Sequence, residues 1–181
     1  MTEQTFLDVL VDVAGREPEY FPIGEVANNG PKINTAYWHD LPEKGLLTGF
    51  TIGLSAHARW RHRRVRPELM ISVESSDRAW IMAMGYVAMQ AANTFSFDVD
   101  ETIDFRAQIA SDSAMSAFLI TSQMMLPESY DVIPGRYVDV ALRQLTPLYA
   151  EELRGIRAHG PEKLRTTVDD PSNVRRKPVR F

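Results

Sequence analysis

Residues 66–80 read "RPELMISVESSDRAW", and the change of period inside this stretch decides the fold class. In "ELMISVES" (68–75) Leu69, Ile71 and Val73 fall on one side, and Met70, Ser72 and Glu74 on the other, which is the period of two expected of a strand. At Asp77 the period turns helical. Ser75, Ser76 and Asp77 offer capping oxygens, and "RAWIMAMGYVAMQAAN" (78–93) predicts a helix of about four turns. Trp80, Met84, Val87 and Ala91 share a face, and Ile81, Tyr86, Ala88 and Met89 leave little polar surface elsewhere. Such a helix is expected to be covered on most sides. At the head of the stretch, Pro67 has no N–H to donate and suits a strand's first residue or an edge. Arg66 and Glu68 lie on the same side of it, placed to pair within the sheet or to meet a partner.

Working outward, Phe6, Leu7, Val9, Leu10 and Val13 predict an amphipathic helix over 3–14, stopped by Gly15. Residues 15–34 hold Pro18, Pro22, Gly24, Gly30 and Pro31 and are expected to form a long loop. Strands are expected at 33–41, 46–55 and 68–75, then at 102–109, 117–125 and 136–145. "YAEELRGIRAHGPEKLRTTV" (149–168) reads as a helical hairpin or one helix broken at Gly160-Pro161. Strands and helices in this mixture predict an α+β fold, with a mixed, largely antiparallel central sheet flanked by helices. One domain is expected over 1–181, with an N-terminal helix and loop at 1–32 and a basic tail at 173–181.

A chain of 181 residues with 44% hydrophobic and 24% charged residues has the make-up of a globular protein that buries one core without a staple. It has no cysteine, hence no disulfide, no thiolate nucleophile and no sulfur-bound zinc, and a reducing cytoplasm is the natural setting. "MTEQTFLDVLVDVAG" is acidic and lacks the basic start and unbroken apolar run of a signal peptide. The longest nearly apolar run, 80–92, is shorter than the roughly 20 residues that a bilayer needs, so no membrane association is expected.

The net charge of −4 is unevenly spread. "RWRHRRVR" (59–66) holds five Arg and "NVRRKPVRF" (173–181) four Lys or Arg, with no acid in either. Removing these nine from the 20 basic residues leaves 11 against 24 acids, a balance of −13. The expectation is an acidic body with two basic patches. Arg61, Arg63, Arg64 and Arg66 around Trp60 are the sharpest electrostatic feature, suited to phosphate and base or to an acidic protein. The acidic body and the lack of a nucleic-acid motif favour the protein partner.

Other candidates for chemistry carry less. His57 and His62 are five apart in a loop, a poor spacing for a metal, and are expected to be surface histidines. Asp98, Asp100 and Glu101 in "FDVDETID" have the spacing of an oxygen-ligand site, but no phosphate cradle or paired base accompanies them. Ser113 and Ser116 lack a nucleophile motif, and Glu151 and Glu152 fit the dipole of a helix start. No catalytic residue, metal or cofactor is assigned, and the chain is read as a non-enzyme.

One ordered set of segments goes further. "FTIGLS" (50–55), "RPELMISV" (66–73), "DRAW" (77–80), "ANTF" (92–95), "DETIDF", "SAMSAFLIT" (113–121), "LPES" (126–129), "LTPLYAEELRGIRAHG" and "NVRR" together resemble the suppressor-of-fused domain over about residues 30 to 178. The resemblance implies a domain that works by holding another protein. The chain looks like the short bacterial members, proposed as immunity proteins that neutralise a cognate toxin domain. By position it implies Gly49, Phe50 and Glu68 at a peptide-binding cleft, with Glu68 offering an acceptor at the rim. In animal members that cleft also uses a second domain, which 181 residues are not expected to include. The partner's identity, the oligomeric state and the order of the basic tail are left open by the sequence.

Overall fold

The protein is described by a computed structural model covering residues 5–27, 30–135 and 138–181. Its first helix, α1 (Phe6–Ala14), is set by a capping box: Thr5 Oγ1 accepts from the Asp8 N–H, and the Asp8 carboxylate accepts from the Thr5 N–H. Gly15 ends it at φ 67°, a left-handed position that glycine takes without a Cβ clash. The strands that follow are β1 (Glu19–Glu25), β2 (Lys32–His39), β3 (Leu46–Ile52) and β4 (Val65–Glu74). The helix α2 (Ala79–Ala91) comes next, then β5 (Thr102–Asp104), β6 (Ala117–Ser122), β7 (Val132–Ile133) and β8 (Asp139–Leu148). Helices α3 (Ala150–His159) and α4 (Glu162–Thr167) flank Gly160 and Pro161, as the break in the sequence predicts.

The strands form one sheet in the order β1-β2-β3-β4-β8-β6-β5, with β7 beside β8. All neighbours are antiparallel except β4 and β8, which are parallel. This is the mixed, largely antiparallel α+β arrangement expected. Period-two alternation divides the apolar residues between two faces. On one face Leu47, Leu69, Ile71, Val73, Phe118, Ile120 and Leu145 pack with Trp80, Ile81 and Met84 of α2. On the other, Ala36, Trp38, Phe50, Met70 and Leu142 pack under α1, and Ala117, Leu119 and Leu148 under α3 and α4. The polar side chains between these groups are paired. Thr48 bonds to Ser72 at 2.6 Å, Thr121 to Thr146 at 3.3 Å, and Gln144 Oε1 accepts from the Met124 N–H at 2.9 Å.

Several expectations need correction. Residues 15–34 are not one loop, because β1 forms within them. It is an edge strand, where Pro22 costs no ladder bond and a bulge between Pro22 and Gly24 absorbs the irregularity. The strand expected at 102–109 stops at Asp104, since Arg106 has φ 63°. That expected at 117–125 stops at Ser122, and β7 was not foreseen. The strand expected at 136–145 runs from Asp139 to Leu148, and its first two positions lie outside the described residues.

The basic tail is bound to the body. Val174 is fully buried in the main core, Ser113 Oγ donates to its carbonyl at 2.6 Å, and the Glu74 N–H donates to the Ser172 carbonyl at 2.9 Å. Arg176 donates through Nη1 and Nη2 to the two oxygens of Glu152, whose side chain is fully buried. Tyr149 N–H and Val179 N–H also donate to that carboxylate. Phe181 fills the space over Gly155, where a Cβ would lie 2.1 Å from the ring. The tail is thus a strap over α3, and Arg176 belongs to its internal anchor rather than to a basic patch.

Candidate functional site

Beyond the Phe50–Met70 pair, β3 and β4 part, and the chain makes two 3₁₀ turns, Leu54–Ala56 and Ala58–Trp60. Gly53 opens the segment at φ 115°, and a Cβ there would stand 2.3 Å from the Lys32 carbonyl oxygen. Glu68 reaches across from β4 to hold the first turn. Its carboxylate accepts from Thr51 Oγ1 at 2.6 Å, from the N–H groups of Gly53, Leu54 and Ser55, and from Ser55 Oγ at 2.7 Å. Burial pushes its carboxyl up from the usual range, against the lowering pull of these donors. Arg66 Nη1 donates to the Ser55 carbonyl at 3.1 Å. The two residues at the head of the quoted stretch therefore clamp one turn between them.

The second turn is held by a histidine. His57 Nδ1 accepts from the Arg59 N–H at 3.1 Å, so Nε2 carries the proton and donates to Asn93 Oδ1 at 3.0 Å. This turn presents Trp60, only 1% exposed, whose ring meets Phe97 at 6.3 Å and His57 at 6.4 Å. The Arg59 and Arg63 guanidinium carbons each stand 5.1 Å from the indole centroid. The indole thus fixes two of the exposed guanidinium groups in place. Arg63 also lies 3.6 Å from the Asp98 carboxylate. Arg143 of β8 joins the neighbourhood. Burial lowers its pKa, Asp98 and Asp131 oppose that shift, and Arg63 adds to it.

The predicted site residues separate into two groups. Arg61, Arg63 and Arg64 are exposed on this face. Trp60 is their buried support, and Arg66 is half-buried and tied to Ser55. Gly49, Phe50 and Glu68 lie inside. Gly49 sits under α2, where a Cβ would come 2.5 Å from Ile81 Cδ1, and Phe50 meets Trp38 edge-on at 5.9 Å beneath α1. Glu68 is 1% exposed with its oxygens spent on the turn, which corrects the expectation of a rim acceptor. His57 is also buried, contrary to the surface reading. Sequence reasoning placed His57 in the basic loop but on its surface, and missed Asp98 and Arg143 as parts of this face. Only the charge of Asp98 and Arg143 was visible, not their place.

The acidic segment is taken up by internal contacts. Asp100 pairs with Arg165, and Glu101 accepts from Ser96 Oγ at 2.8 Å and from the Asp98 N–H at 2.7 Å. Among the described residues no group of three His, Cys, Asp or Glu side chains is placed to hold a metal, and no helix is long and apolar enough to cross a membrane.

Fold and face together define an α+β domain that displays arginines, two of them stacked on Trp60, at turns held by Glu68 and His57. The sequence matches the family model for the suppressor of fused protein (SUFU) over residues 30–177, and the chain belongs to that family. Its fold is similar to that of a protein assigned as a SUFU homologue from Neisseria gonorrhoeae FA 1090, with a TM-score of 0.71 at 17% identity over 95% of this chain and 93% of that one. A chain of the Sufu–Fu complex crystal structure is matched at 0.71 and 13% identity, over 97% and 92%. Drosophila Suppressor of Fused is matched at 0.66 and 14%, over 96% of this chain and 50% of that one. No curated protein matches the sequence.

Proposed function

We propose that this chain is a non-enzymatic protein-binding domain whose arginine face holds an acidic partner, with a cognate bacterial toxin domain as the partner it neutralises. The observation that carries the reading is the pair of guanidinium groups on Trp60, each 5.1 Å from its ring. Side chains ordered before binding lose less entropy on contact, and Arg and Trp are favoured where binding energy concentrates. One chain of the Sufu–Fu complex structure shares this fold, which supports a protein ligand here. The toxin is the finer part of the proposal and rests on the resemblance to the short bacterial members.

Strand addition is the less favoured mode. The β1 edge is blunted by Pro22, a bulge and exposed Glu19 and Glu25, and β5 is three residues long. The test is capture from the host lysate by the tagged protein, beside its Arg61→Glu/Arg63→Glu/Arg64→Glu variant. A stoichiometric acidic protein held by the parent and lost by the variant supports the reading. Equal capture by both removes the face from the interface, and recovery of nucleic acid overturns the partner class.

A further inference from the structure

Helix α2 carries a second apolar stripe that the sheet does not use. Its inner side is buried, yet Met82 and Tyr86 remain 45% and 51% exposed, where a surface helix would place polar side chains. With Ala79 and Met89 they follow the spacing 79, 82, 86, 89, the alternation of three and four that presents a seam to another helix. The seam lies in a groove of about 390 Å³ walled by Phe21 and Ile23 of β1 on one side and by Phe105 on the other.

The ends of this groove differ in charge. Strand β1 runs alongside α2 in the same direction, because Tyr37 Oη joins Arg78 to Glu19 at one end while Ile23 packs at Gly85 and Gly24 at Met89 toward the other. Exposed Arg78 therefore stands at the helix start and exposed Glu25 by the helix end. At its start the Asp77 carboxylate accepts from the Ala79 N–H at 2.9 Å, whereas its last turn holds no basic residue to offset the C-terminal end of its dipole.

We propose that this groove takes a second copy of the chain, with α2 packed antiparallel on α2 of its partner about a two-fold axis. A two-fold contact needs a self-complementary surface. Antiparallel, Met82 meets the other copy's Tyr86, and small Ala79 meets its larger Met89. Arg78 reaches the other copy's Glu25 and helix C-terminus, and each pairing is made twice. The opposed helices offset each other's dipoles, which a parallel pair would not do. This contact is separate from the arginine face and does not depend on the function proposed for it.

The test is sedimentation velocity of the full chain from about 1 to about 500 μM, the range in which a modest interface self-associates. The expected result is a concentration-dependent doubling of mass, abolished by Met82→Glu with far-UV spectrum and melting unchanged. Arg78→Glu and Glu25→Arg should each weaken the dimer about tenfold, and the double exchange should restore it. A monomer throughout the range overturns the proposal and leaves the groove to a different helix. A dimer indifferent to Met82→Glu overturns it equally, and a failed restoration removes the antiparallel pairing.

Discussion

Arg176 and Glu152, 24 residues apart, meet as a two-pronged pair, with Nη1 on Oε1 at 2.5 Å and Nη2 on Oε2 at 2.9 Å. The Glu152 side chain is fully buried and that of Arg176 nearly so, and the pair acts as the lock of the C-terminal strap. Breaking a buried pair on one side leaves the other charge uncompensated, at a cost of about 3–5 kcal/mol. Arg176→Ala is therefore expected to lower unfolding free energy by that amount in urea titration. A loss below about 1 kcal/mol would show that the strap is held by Val174 and Phe181 instead.

Glu68 should show its burial in a pH-dependent way. Its folded pKa is raised, so the native state holds the proton more tightly than the unfolded chain does. Its stabilising contribution is full below the unfolded pKa and declines as pH rises through the folded one. Glu68→Gln leaves at least one N–H of the 53–55 turn facing an NH₂ group, at a cost of about 1–3 kcal/mol. Urea titrations at several pH values should find the stability gap between parent and variant narrowing from pH 4 toward neutrality. A gap that widens over that range would mean that the five donors outweigh desolvation.

Gly49 is expected to be a packing residue. Gly49→Ala places a methyl group against Ile81 Cδ1 at 2.5 Å, overpacking that costs about 1–3 kcal/mol. Ile81→Val removes that atom, so the double variant should recover part of the loss. Additive losses in the double-mutant cycle would put the strain elsewhere.

Trp60 joins stability to the arginine face. Trp60→Ala is expected to cost about 3–5 kcal/mol and to free Arg59 and Arg63. Trp60→Phe keeps an aromatic platform and should retain most of the partner affinity measured by calorimetry. Equal affinity for Trp60→Ala, at a temperature where it is folded, would deny the indole any ordering role.

Local pattern made much of the fold legible. The period of two in β4 and the period of 3.6 in α2 survive because Leu69, Ile71 and Val73 and then Trp80, Met84 and Val87 meet one core. Strand β1 was hidden by Pro22 and Gly24, which read as breakers until the strand is known to lie at an edge. The charge of residues 59–66 marked the candidate face, but the burial of Trp60 and Glu68 depends on a turn folding back over β4. Arg176 carried the opposite lesson. Its charge suggested a patch, whereas its partner lies on α3, and no spacing rule links the two.

The parallel pairing of β4 with β8 bears on the order in which the chain can assemble. Val65 pairs with Asp139 and Met70 with Gln144, each 74 residues further on, while β1 to β4 can pair as they leave the ribosome. Until β8 emerges, β4 has one bare backbone edge along a strand that the finished fold buries for most of its length. Unpaired edges of that kind recruit other chains, and distant pairings form slowly. The growing chain is therefore most exposed to aggregation while residues 75–148 are being made, and β8 closes that interval by seating itself between β4 and β6.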